Sequence, residues 1–139
     1  MSTFNYLSND VEYNKVSQVA VTVTGDVSES KAGVDYNVAT DGLTIGLPLI
    51  TSGNLGSTFL FRNTGADAAN IVSISPKNTN KIIGSIVLSG SVFSASGVLD
   101  KDVINTKSTA LKGDYIVLRS VSLTEYAIIG GVGIWASEA

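Results

Sequence analysis

The sequence predicts an all-β domain: an antiparallel β-sandwich or jelly-roll-like barrel over residues 17–139, preceded by an extended N-terminal arm over residues 1–16. Three observations lead there. Short segments alternate apolar and polar residues with a period of two, the signature of a half-buried strand. Clusters of Gly, Asn, Asp and Ser separate them, as in "TSGNLGS", "NTGADAAN", "SPKNTN" and "LKGD". These residues tolerate or favour turn conformations. The segments recur roughly every 8–15 residues, near the spacing of sandwiches and barrels, and no stretch carries a convincing helical period.

Taken in order, "QVAVTVT" (Gln18 to Thr24) places Val19, Val21 and Val23 on one face. "VDYNVA" (Val34 to Ala39) and "LTIGLP" (Leu43 to Pro48) follow, the latter alternating Leu43, Ile45 and Leu47 against Thr44 and Gly46. "STFLFRN" (Ser57 to Asn63) sets Phe59 and Phe61 opposite Leu60 and Arg62. "NIVSIS" (Asn70 to Ser75), "KIIGSIVL" (Lys81 to Leu88), "DVINTK" (Asp102 to Lys107), "DYIVLR" (Asp114 to Arg119) and "EYAIIGG" (Glu125 to Gly131) complete the strands. The best helix candidate, Ser94 to Leu99, is short and contains Gly97. "DYIVLR" and "EYAIIGG" are apolar on both faces, whereas a strand with one wet face alternates more cleanly. Their second face is expected to meet either a covering loop or another subunit.

The composition narrows the function classes. The chain has 139 residues, enough for one domain with a real core. Charged residues make up 15%, against about 25% in soluble domains generally. Ser and Thr, 30 in all, supply much of the polarity instead. A surface polar through hydroxyls can meet a neighbour without stranding ions, although strands favour threonine in any case. The net charge of −3 argues against nucleic-acid binding, which depends on clustered Lys and Arg. No apolar run reaches the ~18 residues of a membrane span. The start has neither the basic nor the apolar region of a signal peptide, and there is no Cys for disulfides.

Without histidine, the Ser-His-Asp triad, His-ligated zinc and the usual neutral-pH base are all missing. "SESK" (Ser28 to Lys31) matches S-x-x-K but lies in a polar loop, where no helix aligns serine with lysine. "IIGGVGIW" is glycine-rich yet has no following helix to bind phosphate. Asp100 and Asp102 stand two apart in "LDKDV"; a cation there is conceivable, but calcium needs six to eight oxygens. No catalytic, cofactor or metal residue is therefore assigned, and the chain reads as a non-enzyme. Tyr13, Tyr36, Tyr115, Tyr126 and Trp135 could stack on sugars, but most sit in strand patterns, where packing is their usual role.

Two terminal features stand apart. Phe4, Tyr6, Leu7 and Tyr13 in the leader form no clean period; disordered leaders generally avoid aromatics, so these four are candidate contacts of an arm. Ile134 and Trp135 follow Gly130, Gly131 and Gly133. They are candidates for plugging an apolar gap at an interface, with a tail folded onto its own core as the rival.

Three stretches also carry a resemblance: "LTIGLPLITSGNLGSTFLFRNTG", "NIVSISPKNTNKIIG" and "NTKSTALKGDYIVLRSVSLTEYAIIGGVGIWA". In their order they resemble small β-structured virion proteins of tailed bacteriophages, which include capsid decoration (cement) proteins and head-fibre or tail-fibre modules. The likeness spans Ser17 to Ala136 and consists of turn chemistry more than active-site chemistry; the leader and "SGSVFSASGVLDKDV" depart from it. It implies a homotrimer on the outside of a phage head, assembled in the host cytoplasm. The implied partners are its own copies and the major capsid protein, without nucleic acid, membrane or cofactor. The alternative within the same resemblance is a fibre module that attaches to host glycan.

Overall fold

The structure is a computed structural model that describes residues 16–27, 33–77, 79–88 and 91–139. It is all-β, as expected, and its strands form two facing sheets and a hairpin. The chain shuttles between the sheets. β1 (Gln18–Val21), β3 (Asp35–Val38) and β5 (Thr58–Asn63) lie side by side in the first sheet; β2 (Gly25–Asp26), β4 (Leu43–Gly46) and β6 (Val72–Ser75) lie in the second. Each pair of consecutive strands thus makes one turn of a flattened coil, and three such turns stack.

The second half of the chain closes this coil. β7 (Lys81–Ile83), β11 (Tyr115–Ser122) and β12 (Glu125–Val132) complete the six-stranded sheet in the order β1-β3-β5-β11-β12-β7. β10 (Val103–Asn105) and β13 (Trp135–Ser137) complete the five-stranded sheet, β13-β10-β6-β4-β2. Between β7 and β10, the β8 (Ser85–Leu88) and β9 (Ser91–Ser94) hairpin packs beside β12 and β13 and covers that side of the sandwich.

Strand direction corrects the expectation. The sandwich is mixed, not antiparallel: β1–β3, β3–β5, β2–β4, β4–β6 and β7–β12 pair in parallel. The reason is the shuttling path, because strands n and n+2 occupy the same sheet after one complete turn and point the same way. Alternation of burial has period two in either direction and carries no sign of it. The expected Lys81–Leu88 strand is split at Gly84 into β7 and β8, and the helix candidate at residues 94–99 is extended chain that ends in an isolated bridge between Leu99 and Lys81.

The core is built by the alternation read from the sequence. Val38, Phe59, Phe61, Ile116, Leu118 and Tyr126 point in from the first sheet, and Ile45, Val72, Ile74 and Val103 from the second. Tyr36 stacks on Phe61 with ring centroids 5.4 Å apart, and Phe59 meets Tyr126 edge-on at 6.3 Å, both favoured aromatic geometries. The Tyr126 hydroxyl donates to the Pro48 carbonyl at 2.7 Å, so its polar end is satisfied inside.

Trp135, a candidate interface residue, belongs to the chain's own core: it is 4% exposed and its indole N–H donates to the Val132 carbonyl at 3.2 Å. The preceding glycines make room. Gly133 adopts φ +113°, and a Cβ there would collide with the Asp114 carboxyl, while one at Gly131 would come within 2.7 Å of Ile86. Trp135→Ala is expected to destabilise the fold by ~3–5 kcal/mol, as for large aromatics cut from packed cores. Thermal or urea unfolding monitored by far-UV circular dichroism checks this.

Candidate interaction surface

A chain that crosses between sheets at every turn must bury loop backbone at both ends of the sandwich. Buried backbone polar groups need partners, and asparagine amides supply many of them. At the end holding residues 39–42, 64–71 and 106–114, Asn63 donates to Asn105 Oδ1 (2.7 Å) and to the Asn70 carbonyl (3.1 Å). Asn70 donates to Asn63 Oδ1 (2.9 Å) and the Val38 carbonyl (3.0 Å); its own Oδ1 finds no donor among the described residues. Asn105 donates to the buried Asp114 carboxyl and to the Ile134 carbonyl, both at 3.1 Å. Around this network Lys107 is paired to Asp41 and the Lys112 amide donates to Asp67, beside exposed Leu111 and Ile134.

The opposite end uses the same device beneath a different surface. Asn80 Oδ1 accepts from the Ile50 amide (3.1 Å), and its Nδ2 donates to the Leu123 carbonyl (3.3 Å). Asn54 donates to the Leu49 carbonyl (2.9 Å), and Ser120 Oγ donates to the Asn54 carbonyl (3.0 Å). The Asp100 amide donates to the Asn80 carbonyl, which brings Leu99 to the same place. Beside these anchored backbones stand Leu49, Leu55, Leu99, Val121 and Leu123, each between 47% and 58% exposed. This end therefore displays aliphatic side chains on pinned loops, and the Asn63–Asn105 end exposes Val23, Leu111 and Ile134.

The outer face of the first sheet is the second apolar surface. Ile116, Leu118, Tyr126 and Ile128 point into the core, leaving Tyr115, Val117 and Ala127 outside. A bulge between Val117 and Leu118 leaves Ile129 unpaired and 45% exposed; Val132, opposite Tyr115, is 49% exposed. Two charged pairs border this face. Arg62 lies 3.8 Å from Asp35 and over the Tyr115 ring at 5.0 Å, and Lys81 lies 3.6 Å from Glu125. Such exposed pairs add little stability, and Arg119, exposed on the same face between Val117 and Val121, donates to the Thr58 hydroxyl and enters no ion pair among the described residues.

Other sequence candidates fall as follows. Phe4, Tyr6, Leu7 and Tyr13, and the Ser28–Lys31 motif, lie outside the described residues. Ile134 is half-exposed beside buried Trp135. Asp100 is exposed at φ +60°, and no group of three or more acidic residues able to hold a metal occurs among the described residues. A polar cleft of about 230 Å³ lies near the free edge of β2, lined by Thr24, Asp26, Thr44, Ser75, Lys77 and Asp100, with Asp26 and Lys77 paired across it. No helix among the described residues is long and apolar enough to cross a membrane. No protein-family model matches the chain, and no curated protein is similar to it at a significant level.

Two outcomes are expected. Burial, opposed by a hydrogen bond from Ser75 and reinforced by the charges of Glu138 and Asp100, pushes the Asp102 carboxyl above the usual carboxylate range. The folded state therefore holds this proton more tightly than the unfolded chain, and stability falls as pH rises through the window above the ordinary Asp value. Asp102→Asn should raise the melting temperature at pH 7, with the gain vanishing near pH 3; melting curves across that range read it out. Asn80→Ala should cost about 1–3 kcal/mol through the stranded Ile50 amide and Leu123 carbonyl, and hydrogen exchange should quicken at Ile50.

Proposed function

We propose that this chain is a virion structural protein: a capsid decoration (cement) protein that binds the outside of a phage head and stabilises it as a homotrimer. The observation that carries the reading is apolar surface held on hydrogen-bonded backbone, on the outer face of β11 and β12 and around Leu49, Leu55 and Leu123. Contiguous exposed apolar patches larger than a few hundred Å² mark interaction sites. The resemblance of residues 17–136 to small phage virion proteins supplies the setting. Surface work of this kind needs no reacting group. A head filled with nucleic acid is under outward pressure, and a protein clamped across neighbouring capsid subunits opposes their separation. A ~1,000 Å² apolar contact contributes roughly 25 kcal/mol gross, much of it offset by the cost of association; symmetric copies add avidity.

The fibre-module alternative predicts exposed aromatic residues on the loops of one end, for stacking on host glycan. Among the described residues the large exposed side chains are Val, Leu and Ile, which favours protein contact. The test is co-sedimentation of the purified chain with expanded capsids of the phage that encodes it. Saturable binding, a raised capsid disruption temperature and a solution mass of three 14.4 kDa chains are expected. A chain that stays in the supernatant, or that binds a glycan array instead, overturns the reading.

A further inference from the structure

We infer that the open side of the sandwich, a groove between β1 and β2, is closed by residues 3–7 of the same chain, laid antiparallel along the free edge of β1 with Phe4 and Tyr6 facing inward. This contact is independent of the decoration reading, because it completes the domain's own core.

The two sides of the sandwich are closed unequally. On one side the β8–β9 hairpin packs beside β12 and β13, and the chain after it meets both sheet edges. Leu99 bridges to Lys81 of β7, and the Ser96 amide donates to Ser137 Oγ of β13 at 3.0 Å. On the other side β1 and β2 end their sheets, with no strand beyond them among the described residues. There a groove of about 250 Å³ is lined by Val19, Val21, Val23 and Val27 and by the core residues Tyr36 and Ile45. Val19, Val21 and Val27 pack against the core yet stay only partly buried. A segment that covers them removes further apolar surface from water.

The edge beside this groove is ready to pair. The Asp35 amide donates to the Ser17 carbonyl, and backbone groups alternate sides along a strand, so Gln18 and Ala20 turn their amides and carbonyls away from β3. Proteins guard such edges with charge, proline or a bulge. Residues 18–24, "QVAVTVT", hold no charge and no proline, and β1 pairs with β3 in unbroken register. The other strands that end the two sheets are shorter: β2 has two residues, β7 and β13 three each.

The occupant follows from where the chain enters. Val16 leads directly into β1, so the residues before it are tethered at the margin of the groove. A short tether gives an effective concentration in the millimolar range, which an independent partner would have to match. Residues 3–7, "TFNYL", put Phe4 and Tyr6 on one face of an extended strand and contain no Gly, Pro or charge. An aromatic side chain buries ~150–250 Å², so two rings suit an apolar groove. Residues 8–15, rich in Ser, Asn and Asp, reach up to roughly 26–29 Å when extended. That is ample to reverse the chain across the ~4.8 Å between paired strands. Main-chain bonds then hold the added strand, and alternate side chains fill the pocket beneath it.

The chain has no cysteine, so an engineered pair reports the contact cleanly. Asn5→Cys, which faces away from the groove and spares Phe4 and Tyr6, is combined with Gln18→Cys, Ala20→Cys or Thr22→Cys to cover the registers. Val98→Cys, exposed on the closed side, replaces the second partner as control. A disulfide forms only where the two Cα atoms come within ~7 Å. Oxidation of dilute protein is expected to give an internal disulfide, at the 14.4 kDa mass of one chain on non-reducing gels, in at least one of the three pairs and not in the control. In Phe4→Ser/Tyr6→Ser, hydrogen exchange at the Gln18 and Ala20 amides should quicken at least ~tenfold. A disulfide that joins two chains shows that a second copy fills the groove and overturns the assignment to the chain's own segment. No disulfide in any of the three pairs, a yield equal to the control's, or unchanged exchange overturns the docking itself. None of these readouts involves capsid binding, so the decoration reading stands or falls separately.

Discussion

The fold depends on satisfying backbone that the path of the chain forces inside. A sandwich whose strands are joined by hairpins keeps its turns at the rim, in water. Here the first six strands alternate between sheets, so each connection spans the gap between the two layers and its amides and carbonyls pass close to the apolar core. Buried amides meet that requirement: Asn63, Asn70 and Asn105 at one end, Asn54 and Asn80 at the other. An asparagine side chain carries a donor and an acceptor, so one residue can bridge two strands of loop. Asn80 does this between Ile50 and Leu123. An unpaired buried group would cost about 1–3 kcal/mol, a large share of a small domain's net stability.

The same requirement explains the stiffness of the candidate surface. Loops on a β-domain are ordinarily its loosest part. The segment from Leu47 to Gly56 is instead tied to β11 and β12 by Ser120 and Tyr126, and to the 76–80 loop by Asn80. Its leucines therefore stand on backbone that is hydrogen-bonded to the strands beneath. The Asn63–Asn105 end has similar anchoring, by amides that join segments from both sheets.

The sequence made the strands legible, because alternation of Val, Ile, Phe and Tyr with polar residues follows directly from a buried face. Strands that escaped notice lacked that signal. β2 is only Gly25–Asp26, β13 follows a positive-φ glycine, and β9 sits in a Ser- and Gly-rich stretch that reads as loop. Strand direction was not legible, since local pattern says nothing about which sheet the next strand joins. The two-faced character of "DYIVLR" and "EYAIIGG" was visible, and it correctly marked Ile116, Leu118, Tyr126 and Ile128 as opposite in face to Val117 and Ala127. The exposed leucines of the loops were missed. Leu49, Leu55 and Leu123 stand singly among turn residues, where the turn chemistry drew attention away from them. Asn54, Asn63, Asn70 and Asn80 lie in clusters that read as turns, whereas the amides of Asn63, Asn70 and Asn80 bridge segments far apart in sequence.

The bond between Ser120 and Asn54 spans 66 residues, and that between Tyr126 and Pro48 spans 78. During synthesis from the N-terminus, β5 emerges well before β11, the strand that flanks it, and the leucine-bearing loop appears before the groups that anchor it. The N-terminal coil can therefore collapse early, but its edge stays open and its leucines stay loose until the last quarter of the chain has left the ribosome. Ordering of this loop is thus coupled to completion of translation, and fragments truncated before Ser120 lack the groups that anchor it.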